Sequence, residues 1–319
     1  MRHRKYPFVL AFLAPGLLVY GIFMLSPYAQ AIWFSFTDWS GLGRATDIEF
    51  IGFGNYLRLL DDEQLRVALR NNFILLIVVP VVTLLIALFL ASMLNVGGRR
   101  RGAAVTGVRG SAVYKVVYFF PLVLSTAIVA VLFNYVFAPA RAGGVLNTIS
   151  NAIGVDWVLE RIRGEGRGEI LWFGEPAFLI WIIAVVMIWS FVGFFVVVFS
   201  AAMQSIPRDI YEAALLDGSS RFNTFRRLTV PLVWDTVKVS WVYLAIQAMD
   251  AFALVHIILG VNGGPDGQGD VLGVAVYRAA FAESNAAYAA TIGVLLLLLT
   301  MAITLMFMRA LRRERVELA

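Results

Sequence analysis

Apolar runs long enough to cross a bilayer recur along this chain, separated by polar islands. A hydrocarbon core about 30 Å thick takes roughly 20 apolar residues of α-helix to cross. Inside it every backbone N–H and C=O must find its partner within the protein, so repeated runs of this length select a helix bundle. The runs place spans at about 7–30, 73–95, 114–137, 177–203, 233–260 and 286–308. The expected fold class is therefore an all-α membrane protein with six transmembrane helices. Of 319 residues, 60% are hydrophobic and 15% charged, against about 25% charged in a typical soluble domain.

The first run could be read as a cleaved signal, with Ala29-Gln30-Ala31 as its processing site. It exceeds the apolar core of a signal, about 7–15 residues, and we expect an uncleaved anchor. Pro80 is expected to kink the second span, and Pro121 lies near the start of the third. Basic residues concentrate in the head (Arg2, Arg4, Lys5), the loop after the second span (Arg99, Arg100, Arg101, Arg109), the 205–232 loop (Arg221, Arg226, Arg227) and the tail (Arg309, Arg312, Arg313, Arg315). Loops on the other side are longer and hold basic residues more sparsely. This bias puts both termini and the 205–232 loop in the cytoplasm. Residues 138–176 are too long and polar for a simple connection, and read as an extracytoplasmic insertion with a helix near Val145–Ile153.

Several chemistries are excluded. The chain has no Cys, and its two histidines, His3 and His256, are far apart in sequence, so no metal site is expected. No Gly-rich loop ends in G-K-[ST], and no H-E-x-x-H, nucleophile elbow or paired carboxylate marks an enzyme. No cofactor is expected. If ATP drives this protein, another chain binds it.

The longest polar island of the second half is Tyr211–Leu232. Pro207 and Asp209 suit the first turn of a helix, Gly218 suits its end, and Ser219 or Ser220 can cap a second short helix closed by Pro231. A plain cytoplasmic connection would use the same devices. The order Glu212-Ala213-Ala214, Asp217-Gly218, Phe225, Pro231-Leu232 resembles the EAA loop of ABC importer permeases. Phe50–Tyr56 with Asp62 and Asn71-Asn72 is similar to the segment after the first span in sugar-type permeases. So is Leu259–Pro265 with Tyr277–Phe281 to the segment between their last two spans. The 95–113 and 154–175 stretches match no pattern.

The resemblance implies a six-helix permease of the type I ABC importer kind, of the maltose and glycerol-3-phosphate group, in the bacterial plasma (inner) membrane. It implies a heterodimer with a homologous permease, two copies of a cytoplasmic ABC ATPase, and an extracytoplasmic solute-binding protein delivering a sugar or related polar solute. It makes Glu212, Ala213, Ala214, Asp217, Gly218, Phe225 and Pro231 the ATPase-coupling residues.

The substrate path is sought among polar residues inside spans. A mid-membrane Asp costs about 2.5–3.5 kcal/mol on insertion scales and must face protein or water. Asp250 and Gln247 lie three apart on one face of the fifth span, with Tyr243 near the same stripe. They form either a polar cavity wall or a buried interhelical hydrogen bond. Trp189 could stack on a sugar face or simply pack, Asn134 could sit at the interface, and His256 reads as structural. A permease for a non-sugar solute, a stand-alone secondary transporter using Asp250 as an ion site, and a non-transporting scaffold are the other readings.

Overall fold

The computed structural model describes residues 5–42, 48–96, 110–154 and 170–310. The head before Lys5, most of the basic loop after the second span, the Gly-rich centre of the 138–176 insertion and the basic tail lie outside the described residues.

Helices α1 (Lys5–Tyr20) and α2 (Ser26–Phe34) are joined by a π turn, Gly21–Leu25, into one span, Phe8–Phe34. Pro27 accounts for the wide turn. It lacks an N–H for the carbonyl four residues back, and the N–H of Ser26 reaches Gly21 instead. Helix α3 (Gly54–Asp61) is short and leads into α4 (Glu63–Val96). The Asp62 carboxylate accepts from the Leu65 N–H at 2.9 Å and caps α4. The cap lets α4 begin ten residues before the apolar run at 73.

The stretch 114–137 is not one helix. It forms α5 (Ser111–Val123) and α6 (Thr126–Val136), bent by 97°. Pro121 lies near the end of α5, and Ser125 caps α6 by accepting from the Ile128 N–H. Helix α7 (Val145–Ala152) occupies the described part of the insertion.

Helix α8 (Pro176–Gln204) is the centre of the bundle and packs along both α4 and α5. Gly193 explains the closeness of the second pair. A Cβ there would stand 1.6 Å from the Tyr118 carbonyl oxygen, so only Gly lets the α5 backbone rest on α8. Leu75, Val79, Ile183, Val186, Phe195 and Phe199 fill the resulting core.

Helices α9 (Arg208–Leu216) and α10 (Arg221–Thr224) follow, then a π turn, Phe225–Thr229, and a helical turn, Val230–Leu232. The stretch 233–260 is also broken. Helix α11 (Trp234–Met249) meets α12 (Phe252–Leu259) at 41°. After a Gly-rich loop come α13 (Leu272–Tyr277), a π turn, Arg278–Ala282, and α14 (Ala286–Ala310). Among the described residues, four helices are long and apolar enough to cross a membrane, and the count is six if each bent pair is one span.

The breaks are held by side chains. Asn72 donates to the carbonyls of Ala248 and Met249, both at 3.4 Å, and accepts from the Leu272 N–H at 2.8 Å. Asn71 donates to the carbonyls of Gln268 and Asp270 at 2.8 Å each. Two adjacent amides on α4 thus satisfy backbone groups that the α11–α12 break and the following loop would leave unpaired.

Candidate functional site

A cavity of about 340 Å³ opens between the α5–α6 break, the middle of α8 and the α11–α12 break. Tyr243, Gln247 and Asp250 all line it. At 3.6 residues per turn, positions 243, 247 and 250 fall on one face of α11. Facing them are Pro121 and Leu124, beside the other break, and Ser190 and Phe191 on α8. Tyr243 sits 6.1–6.3 Å from the rings of Phe191, Phe194 and Phe195, so its position is fixed by packing. Among the described residues, no hydrogen bond or ion pair engages the side chain of Asp250 or Gln247. These two groups are therefore free to bind something that enters the cavity, which an interhelical hydrogen bond would prevent.

Trp189 and Asn134 are not among the lining residues. Met187, Ser190 and Phe191 share the cavity face of α8, and position 189 falls on the opposite side of the helix. Its indole packs edge-on against Phe133 at 5.2 Å. Asn134 lies roughly two turns along α6 from the lining residue Thr126, beyond the cavity. Sequence reasoning missed Phe191, Phe252 and the α5–α6 break. Phe residues abound in this chain, so only the positions of the two breaks distinguish these.

The 205–232 loop forms a second constellation. Tyr211 and Ala214 are buried, and Tyr211 Oη lies 3.4 Å from Thr229 Oγ1, which ties α9 to the π turn after α10. Glu212, Ala213, Asp217, Gly218 and Pro231 are exposed, and Phe225 is half-buried against the core. Gly218 has φ +73° and ends α9, with the Ser219 N–H donating to the Ala214 carbonyl at 2.9 Å. Ser220 caps α10 by accepting from the Asn223 N–H at 3.3 Å. The turn presents Leu216 at 89% and Phe222 at 68% exposure beside Glu212 and Asp217. Neither apolar residue was singled out from the sequence, where each reads as an ordinary helix former. Together they make a projecting knob with apolar tips and acidic flanks, suited to a protein partner.

The knob and the cavity share two helices. Helix α8 carries Ser190 and Phe191 and leads into the knob, and α11 leads from it to Gln247 and Asp250. The 16 residues of α11 span about 24 Å and run from the knob to the cavity.

Comparison with known proteins gives a consistent picture. Residues 51–316 match the family model described as "Binding-protein-dependent transport system inner membrane component". The chain is 36% identical to the diacetylchitobiose uptake system permease protein NgcF of Streptomyces coelicolor, over 92% of this chain and 79% of that one. It is 28% identical to the lactose transport system permease protein LacF of Rhizobium radiobacter, over 95% and 94%. In fold it is similar to a chain of a bacterial alginate ABC transporter solved with a pentasaccharide-bound periplasmic protein. There the TM-score is 0.78 at 22% identity, covering 97% of this chain and 96% of that one.

Proposed function

The chain belongs to the family of binding-protein-dependent transport system inner membrane components, and on that premise we propose that it forms half of the path by which an ATP-driven importer carries a saccharide across the membrane. The other half is a homologous permease subunit. Two copies of a cytoplasmic ATPase dock on the paired knobs, and an extracytoplasmic binding protein delivers the sugar. This chain is a transport subunit, and ATP is hydrolysed on the ATPase.

The observation that carries this reading is the shared framework of knob and cavity. A projecting, acid-flanked turn is joined by α8 and α11 to a cavity whose Asp250 and Gln247 have no partner among the described residues. Closure of an ATPase dimer moves the knobs together, and the two helices transmit that movement to the cavity walls. The α5–α6 and α11–α12 breaks are natural hinges, since both lie at the cavity. A saccharide suits the cavity because it needs hydrogen-bond acceptors for hydroxyls and aromatic faces for its C–H side. Relatives named for diacetylchitobiose, lactose, α-glucosides and xylose or arabinose support the same class. Both termini and the knob face the cytoplasm, and the 138–176 insertion lies outside.

The test is a mild-detergent pull-down of the tagged chain from its native host. The expected result is co-purification of an ATPase and a second six-span permease, with the ATPase lost on Glu212→Lys. Recovery of the chain alone or as a homo-oligomer sinks the assembly and turns attention to Asp250 as an ion site.

A further inference from the structure

Four rings run in an unbroken row from the cavity to the surface of the protein. Phe252 is a wall of the cavity. Its ring stacks on His256 at 5.3 Å and 20°, and lies 5.5 Å from Tyr277. His256 is 4.7 Å from Tyr277, and Tyr277 is 4.9 Å from Phe281. Two elements build the row with the same spacing. Helix α12 contributes Phe252 and His256 at i and i+4, and α13 with its π turn contributes Tyr277 and Phe281 at i and i+4.

The row is not ordinary core. Phe195 and Phe199 show what core rings look like here, at 1% and 0% exposure. Phe281 is 73% exposed, and Tyr277, His256 and Phe252 are each partly open. His256 Nδ1 is buried with no hydrogen-bond partner among the described residues, so stacking rather than polar bonding holds that ring in line. The base of the row is anchored from behind. Arg278, next to Tyr277, pairs with the buried Asp270 carboxylate at 2.7 Å and with Glu283 at 3.7 Å.

A row that starts on an exposed ring and ends beside Asp250 and Gln247 fits a ligand with one apolar face and a rim of hydroxyls. A lipid tail has no use for the polar end. We propose that Phe281, Tyr277, His256 and Phe252 form a saccharide-binding track that passes pyranose rings from the extracytoplasmic side into the cavity. The track rests on the transport reading above and adds a binding site to it. Each ring offers a face to the C–H side of a sugar, while the Tyr277 hydroxyl adds a polar edge.

The experiment replaces the chromosomal gene in the native host and follows uptake of radiolabelled diacetylchitobiose, lactose, maltose and xylose. Phe281→Ala and Tyr277→Ala are expected to lower the uptake rate of the transported sugar about fivefold to tenfold at unchanged amounts of complex. Phe281→Trp and Tyr277→Phe, which keep a ring, are expected to restore it. In the purified full complex carrying Phe281→Trp, the added fluorescence should change saturably as the same sugar is titrated. That readout decides the matter even if the alanine variants fail to assemble. Wild-type uptake with no loss in the alanine variants, ring-keeping variants no better than alanine, or fluorescence of the Phe281→Trp complex that ignores the sugar overturns the track alone. Wild-type cells that take up none of the four sugars overturn the saccharide reading and the track with it.

Discussion

Asn72 shows how much one amide can hold. It satisfies two carbonyls at the end of α11 and one N–H at the start of α13, all buried. Asn72→Ala strands those groups at a cost of about 1–3 kcal/mol each. We expect a clear fall in the unfolding temperature of the detergent-solubilised protein, and an unchanged temperature would show that water or rearrangement replaces the amide. Asp250 plays the opposite part, since its side chain has no partner among the described residues and its position favours a ligand. Asp250→Asn removes a charged acceptor worth about 1.5–3 kcal/mol, and transport of the preferred sugar should fall at least about tenfold while assembly is kept. Full uptake in that variant would remove Asp250 from the path. Asp270, in the loop before α13, is titratable in a useful range. Burial pushes its carboxyl up to about 6, and the neighbouring Arg278 works in the lowering direction. Arg278→Gln leaves the buried carboxylate uncompensated, so its pKa should rise further. The folded state then binds a proton more tightly than the unfolded one, and stability is lost as pH rises through the folded pKa. Relative to wild type, Arg278→Gln should be most destabilised near pH 8, on the order of 3 kcal/mol, with the gap closing as pH falls through about 6. Thermal unfolding scanned across that range checks it, and a gap independent of pH would mean that the pair is not what the substitution disrupts.

At Gly218 the backbone, not the space around it, sets the constraint. The residue has φ +73°, and a Cβ there would meet nothing within 4 Å. A side chain therefore meets strain of about 1–2 kcal/mol without a clash. Gly218→Ala should keep part of the uptake rate. Gly218→Val, β-branched, should lose most of it while inserting normally, because the turn that aims Leu216 and Phe222 is distorted. Equal uptake in wild type and Gly218→Val would end the coupling role of the turn. This element was readable from the sequence because its signals are local: Ser220 caps, Gly218 terminates, and the intervening residues favour helix. Apolar length likewise gave α8 and α14 nearly to the residue. The two broken helices were not readable in the same way. Hydropathy averages over a break, and Ser125 or Asp250 looks like one polar residue in an apolar run until its neighbours are known. What fixes the α11–α12 break is Asn72, far away in the chain, so no local window contains the cause. The cavity was half-legible for the same reason. Tyr243, Gln247 and Asp250 share a helix face that periodicity reveals, while Phe191 and Phe252 join them only through the packing of α8 and the bend after Met249.

The molecule is unevenly self-sufficient. Half of the apolar window of α8 is buried within the chain, but none of that of the Phe8–Phe34 span is. Helix α2 touches α14, and the rest of that first span presents Phe8, Phe12, Leu17, Leu18 and Phe23 outward. Such a span is stable only against lipid or another subunit, which leaves a face for the second permease of the proposed assembly. The proposed orientation of the whole rests on charge, with basic residues densest in the head, the loop after the second span, the knob and the tail. The absence of Cys makes this directly testable, because every introduced thiol is the sole reporter. Ala142, exposed in the insertion, and Arg309, exposed at the end of α14, lie on opposite sides in the proposed topology. In intact cells a membrane-impermeant maleimide should label Ala142→Cys and leave Arg309→Cys unmodified, with labelling of Arg309→Cys appearing once the membrane is opened. The reverse pattern would invert the molecule and put the knob outside, where no ATPase could reach it. Equal labelling of both sites in sealed cells would break the six-span count, and the α11–α12 pair, the bent pair that lies between the two sites, would then be a re-entrant loop rather than a span.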